Sequence, residues 1–170
     1  MPVSCQKLKR INITYTNLRT FDLGLTPNLD IFSLFACTYF VELQVSAPCP
    51  NLKTLNLFRS SLRSLYLELI PNLERLYLTG CWELVDINAP AGCLEKVVEL
   101  YLRGCALLEK LPEDIGRFGC LKELDITNTS ITHLPQSIFG LKGLEIVTSE
   151  KFLQLYDFPS EITTTTSPLL

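Results

Sequence analysis

LKTLNL at residues 52–57 and LERLYL at residues 73–78 write the same apolar triplet twice, 21 residues apart. Leu52, Leu55 and Leu57 stand at positions 0, 3 and 5 of one copy, and Leu73, Leu76 and Leu78 of the other. The spacing recurs outward in both directions. Leu8, Ile11, Ile13 and Leu29, Phe32, Leu34 precede it; Val97, Leu100, Leu102 and Leu121, Leu124, Ile126 follow. The six starts are 21, 23, 21, 24 and 24 residues apart. A unit of this size carries one short strand and cannot bury its own apolar face, so stacked neighbours must bury it. The expected product is a solenoid with a long open surface, a shape suited to binding rather than to catalysis.

Repeat length and triplet together are those of leucine-rich repeats. The predicted fold is an α/β repeat protein, a right-handed leucine-rich-repeat solenoid of the L domain-like kind. It has about six repeats, a parallel concave β-sheet and irregular or 3₁₀ convex segments. Residues 1–7 read as a lead-in, 8–147 as the solenoid, and 148–170 as an irregular, disordered tail. The tail reading rests on the Thr-rich, proline-broken SEITTTTSPLL. Neither end shows a capping repeat. That predicts a fragment, a truncated gene product or one piece of a larger assembly, with poor solubility in isolation.

A second set of triplets complicates the register: LRTFDL at Leu18, FVELQV at Phe40, LRSLYL at Leu62, then LVDINA, LEKLPE and ITHLPQ. Eleven residues between Leu18 and Leu29 cannot hold a whole repeat, so only one set is expected to form strands. The first set is followed by cysteine at position 8, in Cys37, Cys81 and Cys105. The second set runs into Leu111-Pro112 and Leu134-Pro135, and proline has no N–H for a ladder. The second set is therefore assigned to the convex return. A longer period overlays both: residues 5–44 match residues 49–88 at an offset of 44, including Lys9/Lys53, Asn28/Asn72 and Cys37/Cys81. This reads as duplication of a two-repeat unit.

Apolar residues make up 47% of the chain and charged residues 19%, which fits a packed soluble protein. A net charge of −3 argues against nucleic acid, whose phosphates need a clustered cationic field. No signal-peptide core and no apolar window long enough to span a bilayer is present. The seven cysteines follow the solenoid period, as buried thiols do and disulfide frameworks do not. Reduced cysteines point to the cytoplasm or nucleus. In that compartment the sequons at Asn12 and Asn128 stay unglycosylated.

PNLERLYLTGCWELVDI (71–87), VVELYLRGCALLEKLPEDIG (97–116) and LKELDITNTSITHLPQSIFGLKGLE (121–145) resemble the leucine-rich-repeat region of plant intracellular nucleotide-binding immune receptors. The Toll/interleukin-1-receptor type of disease-resistance protein is the nearest in character, because repeats with cysteine at position 8 alternate with shorter repeats carrying threonine. The resemblance spans residues 5–147. It implies the recognition part alone, since the phosphate loop GxxxxGK[ST] of the nucleotide switch does not occur. It also implies a protein partner: a pathogen effector, a host protein or the receptor's own nucleotide-binding domain. The alternative is a stand-alone scaffold, or a decoy that competes with a full receptor.

Catalysis is not expected. His133 is the one histidine and falls in the turn before Leu134-Pro135. Glu109, Glu113 and Asp114 read as a solvated turn. No CxxC suggests zinc. No metal, cofactor, small-molecule substrate, nucleic acid or membrane is assigned.

The candidate surface is the concave face. Side chains alternate along a strand, so positions 2, 4 and 6 face outward when 3 and 5 face inward. Arg10, Arg75 and Glu99 stand at position 2, Tyr77 and Tyr101 at 4, Phe35, Phe58 and Arg103 at 6, and Arg59 at 7. Strands about 4.8 Å apart make Tyr77 and Tyr101 neighbours, and likewise Phe35 and Phe58. Aromatic and arginine side chains on one exposed face are what binding hot spots favour, although aromatics also suit strands for packing alone. Trp82 leaves the strand and is expected to pack at the solenoid edge.

Overall fold

The computed structural model describes residues 5–90 and 92–166. In chain order the strands are β1 (Arg10–Thr14), β2 (Thr20–Asp22), β3 (Ile31–Phe35), β4 (Glu42–Gln44), β5 (Thr54–Phe58) and β6 (Ser64–Tyr66). There follow β7 (Arg75–Tyr77), β8 (Asp86–Asn88), β9 (Glu99–Tyr101), β10 (Glu123–Asp125), β11 (Glu145–Thr148), one helical turn α1 (Glu150–Leu153), and β12 (Thr163–Thr166). Among the described residues, an eight-stranded parallel sheet runs in the order β1-β3-β5-β7-β9-β10-β11-β12. The fold is a leucine-rich-repeat solenoid. The six triplets occupy β1, β3, β5, β7, β9 and β10, in the register Arg10, Ile31, Thr54, Arg75, Glu99, Glu123.

The sheet runs two strands past the expected six. Glu145 aligns with Glu123, and Thr163 with Glu145. The tail assigned as irregular and disordered is corrected accordingly: residues 150–153 form α1 and 163–166 form β12. Residues 167–170 lie outside the described residues, as do 1–4 of the lead-in. The register shows why the pattern faded. Positions 0, 3 and 5 become Gly143, Ile146 and Thr148, then Glu161, Thr164 and Thr166. Backbone pairing continues where the leucines do not.

The inward residues form one continuous core. Leu52, Leu55, Leu57, Leu73, Leu76 and Leu78 are all fully buried. Each such side chain contributes roughly 1.5–3 kcal/mol of transfer free energy.

The second triplet set also makes strands, which corrects the assignment of one set only. β2 pairs β4 and β6 pairs β8, both parallel. Their middle residues Phe21, Leu43, Leu65 and Ile87 pack against the core, and the flanking polar residues face out. The proline argument holds only where proline is present, at residues 110–112 and 133–135, which form no strand. The convex ladder breaks between β4 and β6, where a groove of about 600 Å³ opens. The break falls between the two copies of the 44-residue unit.

Three side-chain ladders tie the repeats together. Before the concave strands, Asn28 Nδ2 donates to Gln6 O at 2.8 Å, Asn51 Nδ2 to Asn28 Oδ1 at 3.1 Å, and Asn72 Nδ2 to Pro50 O at 2.7 Å. After them, the position-8 thiols reach back one repeat. Cys37 donates to Ile13 O at 3.7 Å, Cys81 to Leu57 O at 3.0 Å and Cys105 to Leu78 O at 3.1 Å. Burial pushes the Cys81 and Cys105 thiols up, so both keep the proton they donate. Immediately before the strands, at position 1, Lys9 pairs with Asp30 at 3.7 Å and Lys53 with Glu74 at 2.9 Å. That is the 44-residue duplication expressed as charge.

Candidate binding surface

Position 7 follows each of the six triplet strands in the left-handed region. Tyr15, Ala36, Arg59 and Asn128 have φ of 52°, 53°, 54° and 57°, and Gly80 and Gly104 have 75° and 74°. This turn carries the chain from the sheet toward the position-8 anchor. It also sets the side chains of positions 6 and 7 along the rim of the concave face.

Two aromatic clusters result. On the N-terminal rim, Phe35 stacks on Phe58 with centroids 4.6 Å apart and planes 13° apart. Tyr15 meets Phe35 edge-on at 5.7 Å, and the Arg59 guanidinium lies 5.2 Å from the Phe58 centroid. Tyr15 is 76% exposed, so this rim presents aromatic surface to solvent. On the central strands, Tyr77 and Tyr101 lie 5.2 Å apart and tilted by 41°. The Tyr77 hydroxyl donates to Glu99 Oε2, and the Tyr101 hydroxyl to Glu123 Oε2. Arg75 Nε bonds Glu99 Oε1 at 3.1 Å.

These bonds shape the electrostatics. Partial burial, the hydrogen bond to Glu99 and its negative charge push the Tyr77 phenol up to about 12, against a smaller opposing effect from Arg75. The hydrogen bond to Glu123 is the chief cause of the still larger rise at Tyr101. Both rings stay neutral donors at physiological pH, and both hold the carboxylates in fixed positions.

Of the residues read from sequence, Phe35, Phe58 and Arg59 come together, and so do Arg75, Tyr77 and Tyr101. Arg103 follows β9 on the row of Phe35 and Phe58. Arg10 stands apart on β1, three strands from Arg75. Sequence reasoning passed over Tyr15, Glu123 and Glu145. Extending position 2 beyond Glu99 finds Glu123, but the faded triplet hides Glu145. Tyr15 is placed by the left-handed turn, which triplet spacing does not encode. Trp82, expected to pack at the edge, is 42% exposed there.

Among known proteins, the family described as Leucine Rich Repeat matches residues 96–118. The TMV resistance protein N of Nicotiana glutinosa is 34% identical over 73 residues, which is 41% of this chain. The chain spans only 6% of that relative's length. The leucine-rich repeat domain of the type III effector XopL superposes with a TM-score of 0.52 at 19% identity, over 86% of this chain and 70% of that one. The structural likeness is one of fold. Solenoids of this kind present extended concave surfaces to protein partners. No helix among the described residues is long and apolar enough to cross a membrane.

Proposed function

We propose that this chain is the non-catalytic recognition region of a plant disease-resistance receptor and that it binds a protein partner through the concave face. The partner is a pathogen effector, a host protein or the nucleotide-binding domain of the same receptor, met in the cytoplasm or nucleus. The observation that carries the reading is the concave sheet itself. Arg10, Phe35, Phe58, Arg59, Arg75, Tyr77, Tyr101 and Arg103 all belong to it or to its rim, and Phe35, Phe58 and Arg59, like Arg75, Tyr77 and Tyr101, group as hot spots do. The likeness to a resistance protein over 41% of the chain supports the immune assignment.

Affinity capture from leaf extract tests the proposal. One bait is the wild-type chain, a second carries Phe35→Ser/Tyr101→Ala, and a third carries Tyr66→Ser on the exposed convex side. The expected result is a partner recovered by the wild type and the Tyr66 variant and lost from the concave variant, with all three baits folded by circular dichroism. Loss from the convex variant alone overturns the concave reading. Sizing the endogenous product against 19.2 kDa then separates a receptor region from a free scaffold or decoy.

A further inference from the structure

Charge divides the solenoid along its length. Residues 1–66 hold seven Lys and Arg against three Asp and Glu, and residues 67–170 hold eight against fifteen. The division reaches the concave sheet. From β9 onward position 2 is Glu99, Glu123 and Glu145 on three successive strands in direct register, an acidic row. Tyr77, Tyr101 and Thr165 donate to its carboxylates, and Arg75 is taken up by Glu74 and Glu99. Arg103, two strands beyond β5, follows β9 on this acidic side. β1, β3 and β5 carry no carboxylate at positions 2, 4, 6 or 7. The carboxylates just before β3 and β7, Asp30 and Glu74, are paired with Lys9 and Lys53.

What β1, β3 and β5 present is a set of unused donors. Arg10 stands at position 2 of β1 and Arg59 at position 7 after β5. Both are exposed, and neither has a carboxylate within ion-pair distance among the described residues. The Phe58 ring steadies the Arg59 guanidinium at 5.2 Å from its centroid. Between the two arginines runs the position-4 row Asn12, Ser33 and Asn56, in direct register. Asn56 Oδ1 accepts from Phe58 N at 3.0 Å, which leaves the Asn56 NH₂ group as the donor still unused. No side-chain hydrogen bond engages Asn12 or Ser33 among the described residues. Tyr15, Phe35 and Phe58 add aromatic surface beside the row.

Spacing selects among anions. Five residues along a strand and two strands across put Arg10 and Arg59 about 19 Å apart. A lone phosphate or carboxylate reaches one of them, whereas about six residues of extended chain reach both. A nucleic acid strand is long enough too, but a net charge of −3 and the acidic row on the same sheet oppose a polyphosphate. We propose that the concave surface of β1, β3 and β5 binds an extended acidic segment of the partner protein. Two carboxylates about six residues apart sit on Arg10 and Arg59, and apolar or aromatic side chains between them lie over Phe35 and Phe58. The Asn12–Ser33–Asn56 row donates to carbonyls of the segment. The proposal rests on the concave-face reading above and specifies its chemistry. The acidic row on β9 to β11 repels the segment and confines it to the first three strands, and binding weakens as salt rises.

Fluorescence anisotropy with two labelled synthetic peptides tests this. One carries two glutamates at that separation with tyrosine and serine between them, and the other carries lysines in their place. The glutamate peptide is expected to bind the wild type and to weaken about tenfold in Arg10→Gln/Arg59→Gln. It is expected to be indifferent to Arg19→Gln/Arg63→Gln, which removes the same charge from the same half of the chain outside the concave strands. Equal loss in both double variants, no glutamate-peptide binding, or tighter binding of the lysine peptide or of an oligothymidine overturns the proposal. The capture experiment above separates this failure from that of the concave reading. A partner lost from Phe35→Ser/Tyr101→Ala but kept by Arg10→Gln/Arg59→Gln overturns the acidic-segment assignment alone. A partner kept by both variants overturns both.

Discussion

Tyr77 and Tyr101 show how single residues register their surroundings. Each phenol is held protonated by the carboxylate it donates to and by partial burial. A tyrosine whose folded pKa is raised contributes stability that is fully present below the unfolded value of about 10. That contribution is lost as pH rises through the folded value, about 12 for Tyr77. Melts of the wild type are therefore expected to lose stability between about pH 10 and pH 12, and Tyr77→Phe/Tyr101→Phe to lose less over the same window. Absorbance at the tyrosinate band is the second readout: these two rings ionise above the ordinary tyrosine range. If the double phenylalanine variant matches the wild type's alkaline slope, the assignment fails.

The left-handed position 7 gives a second residue-scale test. Gly104 has φ 74°, and a Cβ there meets Gly80 Cα at an ordinary 3.6 Å. Gly104→Ala is expected to cost about 1 kcal/mol from backbone strain. Gly80→Ala adds a clash, because its Cβ lies 2.9 Å from Arg59 Cγ. The excess over Gly104→Ala should disappear in a double-mutant cycle with Arg59→Ala. Denaturant melts of the four variants supply the cycle.

At the scale of the element, the concave sheet is an in-register stack whose lateral rows carry the energetics. Thr163 on β12 lies directly across from Glu145. Thr163→Lys extends the acidic row with a cation, and Thr163→Glu extends it with another carboxylate. The lysine variant is expected to be about 0.5–1 kcal/mol more stable than the glutamate variant at low salt, with the gap closing in about 1 M NaCl. Equal melting temperatures at low salt remove the row's energetic meaning.

The rows were legible in the sequence wherever the triplet was intact. Fixed register made neighbours of Tyr77 and Tyr101, and of Phe35 and Phe58, from spacing alone. The three-residue strands β2, β4, β6 and β8 were not legible. Their triplets recur in the sequence, but three residues of alternation do not tell a strand from an irregular return, and local hydrogen bonding between adjacent turns decides the conformation. β11 and β12 escaped for a different reason. Gly143, Thr148, Thr164 and Thr166 occupy apolar positions, and the backbone ladder continues through them. The carboxylate–phenol bonds depend on side-chain reach between adjacent repeats, which spacing leaves open.

At the scale of the whole molecule the protein is nearly one-dimensional, so the worth of a leucine depends on how many neighbours it has. Leu8 and Leu52 hold position 0 in equivalent repeats and match across the 44-residue duplication. Leu52 is fully buried between the repeats on either side, whereas Leu8 is 38% exposed in the first described repeat, where Ile11 and Ile13 are only partly covered. Truncating Leu52 to alanine is expected to cost about 2–5 kcal/mol, the range for a buried leucine. The same change at Leu8 is expected to cost under about 1 kcal/mol, because little apolar area leaves the core. Chemical denaturation of the two variants measures the difference. Hydrogen exchange gives it spatial form: in a chain of nearest-neighbour interfaces, protection should peak at β5 and β7 and fall toward β1 and β12. A flat protection profile, or equal costs for the two leucines, would show that the solenoid unfolds as one indivisible unit. In that case a partner on the concave face would stabilise every repeat equally. With a graded profile, a partner seated on part of the concave face protects the repeats it touches first, and its footprint can be read directly from the exchange map.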